Sequence, residues 1–380
     1  MTDVDPDIQL FRDNVQRFLA QEVAPHYADW EKAGITPRSL WMQLGEAGFL
    51  CVDVPVEYGG AGAPFEYSCV VLEEVGRMGF GALAANLAVH SDIVTQYVCH
   101  LGSEDQKRRY LPKLVSGECV GAIAMTEPGA GSDLQGVRAT AVVDGEHYLI
   151  NGSKTFITNG QHADLVITFA KTDVSAGSRG TTLFLVEAAT AGFARGRNLE
   201  KIGQHCGDTS ELFYSDVRVP MSAVLGRVGN GFGHLVDELP RERLTLAIGA
   251  IGAAEGALQM TIEYALTRKV FGKPLASMQN TRFELAQIKT DIEITKAFVR
   301  QCAQRYATGT LDVPTAAMCK LAATENQFRV ADRCLQLFGG YGYMVEYPIS
   351  RFFTDARVQR IYGGTSEIMK EVIARSLLGR

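Results

Sequence analysis

Apolar positions recur at helical spacing from Ile8 to Trp30, where Phe11, Val15, Phe18, Leu19 and Val23 stand among charged residues. This predicts an amphipathic helix laid on a core. Tyr67 to Leu114 has few breakers besides glycines and Pro112 and reads as further helices, so an all-α domain is expected over residues 1–120. The period then changes. Between Arg138 and Pro220, strand-like runs (Ala139–Val143, His147–Ile150, Leu165–Phe169, Thr182–Val186 and Leu212–Val219) are separated by Asp144-Gly145, Asn151-Gly152 and Asn159-Gly160. Such dipeptides signal hairpin turns because their residues tolerate positive φ, and they predict a β domain over 121–222. Beyond Gly233 the helical period returns, with Leu285, Ile288, Ile292 and Val299 on one face, and holds almost to Arg380. That gives a second all-α domain over 223–380. No internal repeat, low-complexity tract or flexible linker intervenes, so the three parts are expected to pack as one unit.

Composition adds exclusions. The 380 residues, 46% hydrophobic and 21% charged, suffice for a large core and two or three domains. A formal net charge of -6 and no dense Lys/Arg run argue against nucleic acid as a partner. The eight cysteines are scattered with no C-x-x-C pair, which fits free thiols in a reducing compartment. The acidic opening Met1-Thr2-Asp3-Val4-Asp5 and the lack of 18 consecutive apolar residues predict a cytoplasmic chain without an integral membrane segment.

The chemistry lies in five segments: Ala124 to Asp133 (AMTEPGAGSD), Asn151 to Gly160 (NGSKTFITNG), Arg268 to Leu275 (RKVFGKPL), Gln336 to Tyr343 (QLFGGYGY) and Ile361 to Ile368 (IYGGTSEI). Each alone is weak, since glycine clusters mark turns, and Gly340-x-Gly342 lacks the third glycine and the preceding strand of a dinucleotide fingerprint. In this order and spacing they resemble the acyl-CoA dehydrogenase family across essentially the whole chain. The resemblance implies an α+β multidomain fold with an N-terminal helical domain, a middle β-barrel or sandwich domain and a C-terminal four-helix bundle.

Hydroxyls and backbone N–H groups between Thr126 and Ser132 suit the polar edge of an isoalloxazine ring, while Phe156 offers packing and Thr158 a hydrogen bond. By resemblance, Met125, Thr126, Ser132, Phe156 and Thr158 line FAD. Arg268, Phe271, Gln279, Gln336 and Gly340 complete the FAD site of a neighbouring subunit, with the Arg268 guanidinium forking onto the diphosphate. Thr365 and Glu367 match positions beside the nucleotide part. Ser132, Arg243, Tyr362 and Gly363 match substrate-binding positions, and Ala85 to Val98 is expected to line the far end of the acyl pocket. Plainer roles also exist: Phe156 as hairpin core, Thr158 as a strand threonine, Arg268 and Glu367 as solvated helix charges.

A β hydride leaves only if the α proton leaves in concert, so the site needs a desolvated carboxylate and a polarised thioester carbonyl. Many relatives carry that glutamate in the last segment, between tyrosine and glycine, where this chain has Gly363. The long-chain and isovaleryl branches carry it instead on a C-terminal-domain helix before an Arg-Leu pair, and Glu238-Leu239-Pro240-Arg241-Glu242-Arg243-Leu244 matches that pattern at Glu242. The plainer role for Glu242 is a first-turn carboxylate after Pro240 at a helix start.

The resemblance therefore implies FAD-dependent α,β-dehydrogenation of an acyl-CoA, of the kind used in fatty-acid metabolism, with medium to long unbranched chains preferred. It further implies noncovalent FAD, reoxidation by an electron-transfer flavoprotein, and a homotetramer built as a dimer of dimers. Flavin oxidases, monooxygenases and acyl-carrier-protein dehydrogenases of the same fold share the reacting atoms. The glycine at 363 leaves open an idle homologue acting as a binding partner.

Overall fold

A computed structural model describes residues 5–379. The N-terminal helices are α1 (Pro6–Phe18), α2 (Tyr27–Ala33), α3 (Ser39–Glu46), α4 (Phe65–Arg77), α5 (Gly81–Leu87), α6 (Thr95–Leu101) and α7 (Glu104–Ser116). The single helix expected over Ile8–Trp30 is broken. After α1 the chain makes a π turn over Leu19–Val23, and Pro25, which has no N–H to donate, separates it from α2. The buried stripe survives the break, because Val15, Leu19, Val23 and Tyr27 all remain inside at four-residue spacing. A second π turn, Ala88–Val94, joins α5 to α6 and buries His90, Ser91 and Asp92.

The middle strands are β1 (Gly121–Ala124), β2 (Thr140–Asp144), β3 (His147–Thr158), β4 (Leu165–Lys171), β5 (Thr181–Glu187), β6 (Phe193–Asn198), β7 (Thr209–Pro220) and β8 (Val224–Leu225). They form one mixed sheet in the order β6-β7-β3-β2-β4-β5-β8, with β1 parallel to β4. β2 meets β4 at the single pair Thr140–Lys171, so two halves fold over a shared core. Tyr148 of one half lies edge-on to Phe184 of the other at 5.0 Å, and the Tyr214 hydroxyl meets Thr168 Oγ1 at 2.9 Å.

Only one of the three expected hairpin turns is a hairpin. Asp144-Gly145 joins β2 to β3. Asn151-Gly152 instead sits inside β3, at a register shift against β7, and Gly152 takes φ 146° there. Asn159-Gly160 leads from β3 toward β4, which is not its partner; the Asn159 amide is buried and donates to Asn86 and Gly121 carbonyls, each at 3.0 Å. Strands β1, β6 and β8 carry no alternating pattern and were not expected.

The C-terminal part comprises α8 (Gly231–Thr267), a small ribbon of β9 (Lys269–Val270) and β10 (Lys273–Pro274), then α9 (Gln279–Ala307), α10 (Val313–Phe338), α11 (Ile349–Gln359) and α12 (Ser366–Leu378). By length and a mean hydropathy of 1.2 over an 18-residue stretch, α8 could cross a membrane, yet 72% of that stretch is buried inside the protein. It runs against α4 at backbone contact. A Cβ at Gly252 would strike the Glu73 carbonyl, and one at Gly256 the Arg77 carbonyl, so only glycine permits this approach. Charged pairs rim the contact, with Arg77 to Glu255 at 2.7 Å and Lys296 to Glu255 at 2.5 Å.

Candidate active site

The helix containing Glu242 begins at Gly231, so Glu242 is not a helix-start carboxylate. Pro240 lies within α8, where it cannot donate to the Val236 carbonyl. Glu242 is 4% exposed, and its Oε1 accepts a hydrogen bond from the Tyr97 hydroxyl of α6 at 2.8 Å. Burial pushes its carboxyl up to about 7, and the charge of Glu238 adds to this; Tyr97 and the charge of Arg243 pull the other way.

Arg241, the residue before it, is buried in a charged network. Its Nη1 reaches Asp53 Oδ2 at 2.6 Å and Nη2 reaches Asp92 Oδ1 at 2.8 Å, while the guanidinium lies 4.8 Å from the Phe65 ring centre. Ser68 donates to Asp92, and Gln96 donates to Asp53 at 3.0 Å. The network ties α8 to α4, α6 and the second π turn. No local pattern foretold it.

The loop carrying Tyr362 and Gly363 meets α8 one turn beyond Glu242. Gly363 has φ 62°, and a side chain placed there would run into Leu246 Cδ1, one turn beyond Glu242 on α8. Lys320 of α10, buried, holds this loop by donating to the Gly364 carbonyl at 2.6 Å; burial and then the charge of Arg243 bring its pKa down to about 8. The Tyr362 hydroxyl accepts from Gln204 at 3.3 Å. Arg243 is 3% exposed, and its Nε and Nη1 have no hydrogen-bond partner among the described residues, as expected of a guanidinium that waits for an anionic ligand. Glu242, Arg243, Tyr362 and Gly363 thus share one neighbourhood.

A second group lies on the sheet. Lys154 of β3, buried, donates to the Met125 carbonyl and to Glu127 Oε1, both at 2.9 Å, and the Thr126 carbonyl accepts from Thr155 N–H at 3.0 Å. The Glu127 carboxylate also accepts from Arg138 and Ala139 N–H groups, so this ion pair clamps the 125–132 loop to β3. Ser132 at its tip is exposed. Phe156 is not hairpin core: it sits at a register shift with φ 58° and is 68% exposed. Thr158 closes β3 opposite Thr209. An aromatic ring turned outward beside a hydroxyl and a loop of free polar edges fits a flavin, whose ring needs one apolar face and several donors.

The third group is apart. Arg268 caps the end of α8 with its guanidinium 5.2 Å from the Tyr341 ring centre, and Phe271, at φ 50° on the β9–β10 turn, is 98% exposed. Gln279 opens α9, Gln336 lies in the last turn of α10, and Gly340 follows it, all three exposed. Thr365 caps α12, accepting from Ile368 N–H at 3.2 Å, and Glu367 lies in its first turn. Among the described residues, no hydrogen bond or ion pair joins the Arg268 group to the Phe156 group within one chain.

Three family models tile the chain: the acyl-CoA dehydrogenase N-terminal domain over residues 5–118, the middle domain over 122–217 and the C-terminal domain over 229–378. Together they define the class, flavin-dependent dehydrogenases of acyl thioesters. The chain is 48% identical over 371 residues to the mitochondrial long-chain specific acyl-CoA dehydrogenase of Sus scrofa, covering 97% of this chain and 86% of that protein. It is 36% identical to the isovaleryl-CoA dehydrogenase of Solanum tuberosum, over 97% of this chain and 89% of that one. The crystal structure of an acyl-CoA dehydrogenase from Geobacillus kaustophilus superposes with a TM-score of 0.96 at 46% identity, covering 99% of each chain. The chain belongs to the acyl-CoA dehydrogenase family, and FAD is its cofactor.

Proposed function

We propose that Glu242 is the base of an α,β-dehydrogenation that converts an acyl-CoA to its trans-2-enoyl-CoA. The observation that carries this is a buried carboxylate on α8 one turn from Leu246, where the helix meets a loop that has glycine, not glutamate, at 363. Glu242 takes the α proton; its raised proton affinity suits a base working near neutral pH. Arg243 supplies two unpartnered guanidinium nitrogens, Nε and Nη1, to the anionic CoA portion. When bound, FAD supplies the acceptor for the β hydrogen. Met125, Thr126, Ser132, Phe156 and Thr158 hold its ring, and Arg268, Phe271, Gln279, Gln336 and Gly340 reach the cofactor of a neighbouring subunit, with Thr365 and Glu367 beside its nucleotide part.

The preferred substrates are medium to long unbranched acyl-CoAs. The higher identity to the long-chain relative than to the isovaleryl one supports this. The protein is cytoplasmic, in keeping with eight free cysteines; it assembles as a homotetramer of two dimers, delivers electrons to an electron-transfer flavoprotein, and divides into domains at 1–120, 121–222 and 223–380. Anaerobic titration with a panel of acyl-CoAs tests the substrate: straight chains should bleach the flavin fastest. Faster bleaching by isovaleryl-CoA, or rapid turnover with oxygen alone, would overturn the assignment. Sedimentation of a fully flavinylated monomer would remove the shared cofactor site.

The geometry around Gly363 sharpens a second expectation. Adding Gly363→Glu to a Glu242→Gln protein should restore little flavin reduction, because the new side chain meets Leu246 on a strained backbone. Adding Leu246→Ala as well should restore about tenfold more. Equal rates with and without the alanine, in single-turnover reduction, would show that Leu246 does not control that space.

A further inference from the structure

The carboxylate of Glu242 is held by a residue that the reaction itself does not call for. Tyr97 is fully buried on α6, and its hydroxyl is the sole hydrogen-bond partner of the Glu242 carboxylate among the described residues. Burial, and then the charge of Glu242, raise the Tyr97 pKa well above its ordinary value, so the phenol keeps its proton and acts as the donor. The contact is set by a paired register: Gln96 holds Asp53, which holds Arg241, and Tyr97 holds Glu242. Adjacent residues of α6 thus engage adjacent residues of α8.

We propose that Tyr97 is a positioning residue for the base: by occupying Oε1 it leaves Oε2 as the oxygen that receives the α proton. This rests on the reading of Glu242 as base. The terminal torsion of a glutamate is broad, so an untethered carboxylate offers either oxygen over a wide arc. A short hydrogen bond from a rigid, packed phenol removes that freedom and keeps Oε2 in line. The same bond favours the ionised carboxylate, so the hydroxyl sets proton affinity as well as direction. The other charged groups facing Glu242 are Glu238 and Arg243 on α8; Glu238 pairs with His100 of α6 at 2.9 Å, Asp237 adds its charge near Tyr97, and Lys320 of α10 stands behind Arg243. None of these hydrogen-bonds to the Glu242 carboxylate.

The test uses Tyr97→Phe, which keeps the ring and removes the hydroxyl, and 3-fluorotyrosine placed at position 97, whose phenol is a stronger donor. Two midpoints are measured: that of the infrared carboxyl band that Glu242→Gln abolishes, and that of the acid limb of flavin reduction by a straight-chain acyl-CoA. Tyr97→Phe should move both to higher pH by about one unit. The fluorinated residue should move both to lower pH, and it carries the test alone if Tyr97→Phe does not fold. Unmoved midpoints, with Glu242→Gln inert, would make Tyr97 a packing residue and overturn the proposal. Flavin reduction by Glu242→Gln at the parental rate would instead remove the base reading, and this one with it.

Discussion

Replacing Glu242 by glutamine leaves FAD and thioester bound and lowers the rate of flavin reduction by about two orders of magnitude or more, the usual scale for a lost general base. The amide keeps the size of the side chain and can still accept from Tyr97, so the local packing has no reason to change. What disappears is the carboxylate that takes the α proton, and position 363 carries no side chain to replace it. Anaerobic stopped flow with a straight-chain acyl-CoA decides it; reduction at the parental rate would return Glu242 to a structural role. The same variant has a second signature. The folded-state pKa of Glu242 is raised to about 7, so folding binds its proton more tightly, and that contribution to stability is lost as pH rises through about 7. Glutamine never ionises. Glu242→Gln should therefore melt at a higher temperature than the parent above neutral pH and show no such gain in mild acid.

Replacing Arg241 by leucine should destabilise the protein by about 3 to 5 kcal/mol, the scale for removing one partner of a buried charge cluster. Asp53 and Asp92 would then face each other without their cation, with Asp92 only 3% exposed. Burial already raises the Asp92 pKa, and without Arg241 it would rise further. The folded state would then bind the proton more tightly than the unfolded chain, so stability falls as pH rises through that folded-state pKa. The loss should accordingly shrink in mild acid, where Asp92 can be protonated. Thermal melts in mild acid and at about pH 8 measure it. A small, pH-independent change would mean that water replaces the guanidinium and that the network is not the anchor of α8.

Much of this was legible in the sequence. The change from helical to alternating period and back marks the helix–sheet–helix order, because periodicity reports burial of one face whatever the partner. Glu242 stood out since the carboxylate that the chemistry needs is missing at Gly363 and present before Arg243-Leu244. The three turn dipeptides were only partly readable: Gly145, Gly152 and Asn159 do all take positive φ, but that conformation serves a bulge as readily as a hairpin. Tyr97, Asp53 and Asp92 could not be read at all. Their partners lie far along the chain, and nothing local tells a core tyrosine from one whose hydroxyl meets a carboxylate. Lys154 and Glu127 both lay within recognised segments, yet their pairing depends on how the 125–132 loop folds back on β3.

The backbone contact between α4 and α8 bears on how the chain acquires its structure. These helices touch through glycines, but the whole middle sheet separates them in sequence. The sheet is therefore an insertion into a discontinuous helical body. During synthesis α4 emerges early and keeps the face carrying Phe65 and Leu72 uncovered until α8 has been made, whereas the pairings of the sheet are closed among its own strands. Contacts of such long range are slow to form, and an amphipathic helix waiting for a late partner is the kind of surface that chaperones cover and aggregates exploit. The glycines that bring α8 close enough to be tied down beside Tyr97 thus also leave that side of α4 waiting for a helix made more than 150 residues later.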